Sequence, residues 1–304
     1  MDFGKLPIDQ LAQVDFTLPP DHAITAATLQ EANNNPNKKP QVFVGCPVWA
    51  DKQWVGKLYH ASAKEKDHLM LYTRQFNTIE LNVTHYQIPT EDTILRWKAA
   101  SNEGFRFCPK FPQIISHDKQ LQEAEGLTRE FLDSILGLDD HLGMPFLQLA
   151  PYFAPRQVKI LENYLRQVGM PIAVEFRHPD WFTNPQIWQD TLHMLQSYGA
   201  GTVITDVAGR RDVLHQALPT PVATIRFVGN ELHPTDYARA DAWVQRLKGW
   251  FEQGLQQLYL FVHCGTNRYA PELALYWIRA LNTHCGLQLP EPRLLPQVVQ
   301  GSLF

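Results

Sequence analysis

The sequence predicts an α/β fold, a (β/α)8 TIM barrel with an N-terminal extension. Three observations lead there. From residue 41 onward eight short apolar segments recur, and all but one precede a segment with helical periodicity. Strands alternating with helices pair in parallel through right-handed crossovers, and eight units of roughly 33 residues match a closed barrel. The rival, an open doubly wound sheet, usually carries a glycine-rich loop after its first strand, and none follows Trp49.

Each element can be justified in turn. Residues 1–40 hold Pro19-Pro20, the polar run NNNPNKKP (33–40) and little apolar period. They read as an arm that is on the surface or partly ordered, with a short helix near 23–32. The barrel domain is assigned to 41–304. VFVGCPVW (42–49) is a β-branched apolar run, and KDHLMLYTRQF (66–76) then places Leu69, Tyr72 and Phe76 at helical spacing. TIELNVTHY (78–86) leads to EDTILRWKAA (91–100), FRFCPKFP (105–112) to TREFLDSILGL (128–138), and PFLQLA (145–150) to RQVKILENYLRQV (156–168). IAVEFRH (172–178) leads to NPQIWQDTLHMLQSYG (184–199), whereas GTVITDV (201–207) is followed by AGRRDVLHQALPT (208–220), weakly helical and read as irregular. VATIRFVG (222–229) with YARADAWVQRLKGWFEQG (237–254), and LYLFVHC (258–264) with PELALYWIRALN (271–282), complete the series.

Composition narrows the function classes. The chain has 304 residues, 44% hydrophobic and 19% charged, with a net charge of −4, so it is not basic overall as a nucleic-acid binder would be. No apolar run is long enough to span a bilayer, and MDFGKLPIDQ lacks the basic and apolar regions of a secretory leader, so a cytoplasmic location is expected. Cys46, Cys108, Cys264 and Cys285 are widely spaced and read as reduced thiols. Cys46 and Cys264, ending the first and last strands, are candidate neighbours.

In such a barrel, chemistry gathers at the carboxyl ends of the strands. The polar residues late in the strands are Glu80 and Asn82, Lys110, Gln148, Glu175 and Arg177, Asp206, Arg226, and His263. Residues two apart on a strand share a face, so Glu80 with Asn82, and Glu175 with Arg177, point into the mouth while Ile79, Leu81, Val174 and Phe176 face the helices. Pairs such as Glu175–Arg177 or Glu80–Lys110 can also simply brace a barrel. The whole set converging at one end costs more desolvation than bracing explains. Trp49, Trp54, Tyr86 and Trp181 follow strand ends, where they can stack on a ligand or seal the upper core. His117 lies in the loop after the third strand, where it can reach the mouth, although a lone loop histidine is usually solvated; His85 is similar. Trp97, Trp188, Trp243, Trp250 and Trp277 fall on helices and read as packing.

Six motifs in order, GCPVWADKQWVGKLY, FNTIELNVTHYQIP, FRFCPKFPQIISHD, FLQLAPYF, AVEFRHPDW and IRFVG, resemble those of the YecE-like family, a domain of unknown function numbered 72. The resemblance covers nearly all of 41–285. It implies a TIM barrel without an assigned reaction, similar in fold to the xylose isomerase and endonuclease IV type. The family pattern matches Glu80, Asn82, Lys110, His117, Gln148, Glu175, Arg177, Asp206 and Arg226. Two departures stand out: the family's Arg-x-His-Gly is Arg226-Phe227-Val228-Gly229 here, and its final pair of asparagines is His263-Cys264.

Three functions fit these residues. The first is an enzyme for a small anionic or hydroxyl-rich substrate of the sugar phosphate or nucleotide type. Lys110, Arg177 and Arg226 would grip anionic oxygens, with Asn82, Gln148, Tyr86, His117, Trp49 and Trp181 as further binding residues. Glu175 or Glu80 would be the general base and Asp206 or His263 the acid, with no cofactor. The second is a hydrolase or isomerase using a divalent metal held by Glu80, Glu175, Asp206 and His263. The third is a non-catalytic nucleic-acid or ligand-binding protein; a membrane partner is not expected.

Overall fold

The computed structural model describes residues 4–33 and 39–296. Most of the polar run at 33–40 lies outside them. Eight strands form one parallel sheet: β1 (Gln41–Cys46), β2 (Thr78–Leu81), β3 (Arg106–Pro109), β4 (Phe146–Gln148), β5 (Ala173–Glu175), β6 (Gly201–Asp206), β7 (Val222–Gly229) and β8 (Gln257–Cys264). The order is β3-β2-β1-β8-β7-β6-β5-β4, and a parallel bridge between Lys110 and Phe146 joins the two ends, closing the barrel. All eight segments read from the sequence are strands.

The helices are α1 (Ala23–Ala32), α2 (His68–Thr73), α3 (Glu91–Ala100), α4 (Glu125–Leu136), α5 (Val158–Val168), α6 (Asp180–Thr183), α7 (Pro185–Ser197), α8 (Pro234–Gln253) and α9 (Ala270–Cys285). Among the described residues no helix is long and apolar enough to cross a membrane.

Strand alternation sorts every residue. Outward positions such as Val44, Ile79, Val174, Ile204, Ile225 and Leu260 join the two cores between sheet and helices. Inward positions form a plug inside the barrel, where Phe43, Cys108, Phe146, Ala173, Val203, Tyr259 and Phe261 pack together. The next inward level, one step toward the carboxyl ends, is polar: Glu80, Lys110, Gln148, Glu175, Thr205, Arg226 and His263. The plug is the floor on which that level rests.

The sixth connection is irregular, with one 3-10 turn at Arg211–Val213. A barrel without its sixth helix would expose the outer face of β6. The helix read at 23–32 is α1, and it covers that position: the Thr25 hydroxyl donates to the Gln216 carbonyl (2.9 Å), the Leu218 amide donates to Thr25 Oγ1 (2.9 Å), and Gln196 of α7 donates to Thr28 Oγ1 (3.3 Å). Ile24, Thr25, Thr28 and Leu29 are buried there. The arm ahead of α1 is clasped by arginines. Arg211 donates to the carbonyls of Phe16 (3.2 Å) and Thr17 (3.3 Å), and the Phe16 ring lies 5.1 Å from the Arg239 guanidinium and 5.5 Å from that of Arg211. The Gly209 amide donates to the Gly4 carbonyl (2.8 Å), which carries Lys5 to the edge of the barrel mouth. All four cysteines are free thiols.

Candidate functional site

The polar level is one connected network. Arg226 is its hub: Nε and Nη2 donate to Glu80 Oε2 and Oε1 at 2.9 Å each, and Nη1 donates to Glu175 Oε2 (3.1 Å) and Oε1 (3.2 Å). Glu80 also accepts from Asn82 Nδ2 (2.8 Å) and from His263 Nε2 (2.8 Å). Glu175 further accepts from the Thr205 hydroxyl and pairs with Arg177 Nη2 at 2.6 Å. Gln148 Oε1 takes hydrogens from both Lys110 Nζ (3.0 Å) and Arg177 Nη2 (3.1 Å).

This bonding assigns roles. A carboxylate offers about four lone-pair positions, and Glu80 has four donors on them, so nothing is left to take a proton from a substrate. Glu175 is 1% exposed and lies beneath its two arginines. Burial alone would raise both carboxyls. The Arg226 and His263 charges outweigh it at Glu80 and hold that group well below the usual carboxylate range, while Arg177 and Arg226 lower Glu175. Both acids are paired with arginines. Because a carboxylate only accepts, His263 Nε2 carries the hydrogen in this contact.

Above the network is a cavity of ≈ 370 Å³, walled by Asn82, Tyr86, Lys110, Gln148, Arg177, Thr205, Arg226, Val228 and His263, with Lys5 from the arm. Its charged wall is cationic, since the paired carboxylates lie below. Burial and the like charge of Arg226 push the Lys110 ammonium down to about 8, against the pull of Glu175 and Glu80. Burial also lowers Arg177 to about 10, although Glu175 opposes it.

Most of the residues singled out in the sequence meet here. Glu80, Asn82, Lys110, Gln148, Glu175, Arg177, Arg226 and His263 form the network, and Tyr86 stands 74% exposed at the rim. His117 lies behind Lys110, its ring 5.3 Å from that of His85, and burial followed by the Lys110 charge lowers its pKa. Trp49 lines a neighbouring cleft.

Two expectations are corrected. Asp206 does not face the mouth: it alternates with inward Thr205 and points out to α8, where Arg239 Nη2 (2.7 Å), Trp243 Nε1 (2.6 Å) and Arg211 donate to it. Trp181 is fully buried, its indole donating to the Phe153 carbonyl (2.8 Å) and its ring against Phe176 (4.9 Å). Trp54 is likewise buried, donating to the Asn267 carbonyl at 2.9 Å.

Sequence reasoning passed over Thr205 and Lys5. Thr205 was findable by counting alternation along β6. His85 is not a solvated loop residue: it is buried, its Nδ1 is 2.7 Å from the Phe111 carbonyl, and burial takes its pKa to about 4.

The metal-binding alternative does not fit this donor set. The Arg226 guanidinium occupies the space between Glu80 and Glu175, and Asp206 faces elsewhere. Among the described residues no three His, Cys, Asp or Glu side chains converge as a ligand set.

The family described as "Protein of unknown function DUF72" matches residues 43–296. The chain belongs to the DUF72 family. It is 31% identical to the UPF0759 protein YecE of Escherichia coli (strain K12) over 284 residues, covering 86% of this chain and all of that one. It is 24% identical to the UPF0759 protein YunF of Bacillus subtilis (strain 168), over 52% of this chain and 58% of YunF. Two DUF72 crystal structures share the fold. The one from Enterococcus faecalis V583 has a TM-score of 0.65 at 18% identity, over 83% of this chain and 100% of its own. The one from Thermotoga maritima MSB8 has a TM-score of 0.61 at 22% identity, over 80% and 98%. The DUF72 match spans every strand of the polar level.

Proposed function

We propose that the barrel mouth binds a small phosphate- or carboxylate-bearing, hydroxyl-rich molecule and transfers a proton on it. The observation that carries this reading is the convergence of Lys110, Arg177 and Arg226 on one cavity whose balancing carboxylates lie underneath. Among the described residues of the polar level, Lys110, Arg177 and Arg226 outnumber the carboxylates Glu80 and Glu175, a balance that suits an entering anion. Lys110 supplies a point charge, and Arg177 and Arg226, held by Glu80, Glu175 and Gln148, add positive charge to the wall. Asn82, Gln148 and Tyr86 offer hydrogen bonds suited to hydroxyls. His263 is the group placed for acid/base work, with Glu80 holding its ring through Nε2. Glu175 sets the position of Arg177 and Arg226.

The test is calorimetric titration with ribose 5-phosphate and with 3-phosphoglycerate. Saturable binding is expected, weakened at least about tenfold by Lys110→Met, since a charge-assisted contact is worth roughly 1.5–3 kcal/mol. Failure of both compounds to bind at millimolar concentration, or binding indifferent to Lys110→Met, would overturn the proposal.

A further inference from the structure

A second cavity, ≈ 320 Å³, lies beside the charged mouth. The two share Pro47, Val48, Asn82 and Asn267, so they are compartments of one space. Their chemistry differs. The mouth is cationic, whereas Pro47, Val48, Trp49, Ala50 and Val83 make the second compartment largely apolar, with Asp51, Asn82 and Asn267 as its other polar lining. Glu80 reaches its floor, but all four of that residue's acceptor positions are committed, so the floor offers no open site for a cation.

The walls are preformed. The Trp49 ring packs edge-on to Trp97 with centroids 6.1 Å apart, and its carbonyl accepts from the Tyr59 hydroxyl at 2.6 Å. Across the cleft the Asn267 carbonyl is held by Trp54 Nε1 at 2.9 Å. Val83 is 47% exposed, an apolar side chain left facing solvent on a rigid turn directly after β2. Small-molecule sites typically combine such apolar walls with a few polar groups that set orientation.

We infer that the ligand is bipartite: an anionic group held by Lys110, Arg177 and Arg226, joined through a hydroxylated linker to a planar aromatic or heteroaromatic body lying between Val48, Trp49 and Val83. Nucleoside monophosphates have this layout; phenyl phosphate keeps the anion and the ring without the linker. The linker would pass Asn82 and Asn267, the polar residues common to both compartments. This inference rests on the anion-binding reading proposed above and adds the class of molecule that carries the anion.

The experiment compares matched pairs by calorimetry: adenosine and uridine 5′-monophosphate against ribose 5-phosphate, and phenyl phosphate against inorganic phosphate. Stacking one ring on an aromatic wall predicts a gain of about tenfold to a hundredfold in affinity for at least one aromatic member over its partner. Trp49→Ala should remove that gain while leaving ribose 5-phosphate binding unchanged. Val83→Gln, at a position 47% exposed, should reduce the gain as well, so the test survives if Trp49→Ala does not fold. If ribose 5-phosphate or inorganic phosphate binds and no aromatic partner binds more than about threefold tighter, the bipartite ligand is wrong and the anion site stands. If none of the five compounds binds, the anion site falls and the inference with it.

Discussion

Replacing Arg226 with Met tests the network at its hub. The substitution keeps most of the apolar stem and removes the guanidinium that donates to both carboxylates. Glu175 retains Arg177 at 2.6 Å and the Thr205 hydroxyl. Glu80 is left fully buried with Asn82 and His263 alone. The loss therefore corresponds to breaking one buried ion pair rather than two, about 3–5 kcal/mol, a large share of the roughly 5–15 kcal/mol that holds a domain folded. The pH dependence gives the sharper signature. In the wild type both carboxyls titrate below their ordinary 4.5, so their stabilisation is present above that pH and lost as the pH falls through the folded values. In the variant, burial without Arg226 raises the Glu80 carboxyl above 4.5, so the folded state gains stability as the pH falls through the raised value to 4.5. Urea unfolding at pH 7.5 and 5.0 should show the deficit of Arg226→Met shrinking at the lower pH, and adding Glu80→Gln should recover at least about half of it at pH 7.5. A single variant within about 1 kcal/mol of wild type at both pH values, or a double variant no more stable than the single, would refute the assignment of Glu80 and Arg226 as a mutually dependent pair.

Other outcomes follow from the same geometry. Asp206→Asn should cost about 3 kcal/mol by unpairing Arg239 and Arg211, increase proteolysis of the arm around Phe16, and leave ribose 5-phosphate affinity unchanged; a tenfold loss of affinity would mean that Asp206 faces the mouth after all. Affinity for ribose 5-phosphate should fall as pH rises through about 8, where Lys110 gives up its charge, and the fall should vanish in Lys110→Met; titration between pH 7 and 9.5 decides it. Trp181→Ala should destabilise the barrel by about 3–5 kcal/mol without changing binding, because its ring fills the core against Phe176.

The barrel was legible because each strand is an apolar run that only a sheet buried on both faces tolerates, and because helical periods separate the runs. Glu80, Lys110, Glu175, Arg177, Arg226 and His263 were legible for a related reason: a charge late in a buried strand has one place to go. Asp206 looked the same in the sequence but sits one residue out of phase, and β6 has a buried arginine waiting on its outer side. Alternation, not lateness in the strand, is the better guide, and it would have selected Thr205. Trp181 was illegible because an aromatic after a strand end can turn toward the mouth or into the core, and local sequence does not set which. The weak sixth helix was visible, but its replacement by α1 was not, because the complementarity spans most of the chain.

That replacement has a consequence for biosynthesis. Thr25 must find Gln216, 191 positions later, and at translation rates of about 5–20 residues per second the intervening chain takes roughly 10–40 s to appear. Phe16 and Leu29 therefore leave the ribosome long before their arginine clasp and apolar seat exist. The first helix made is among the last to dock, and during that interval its apolar face is left uncovered.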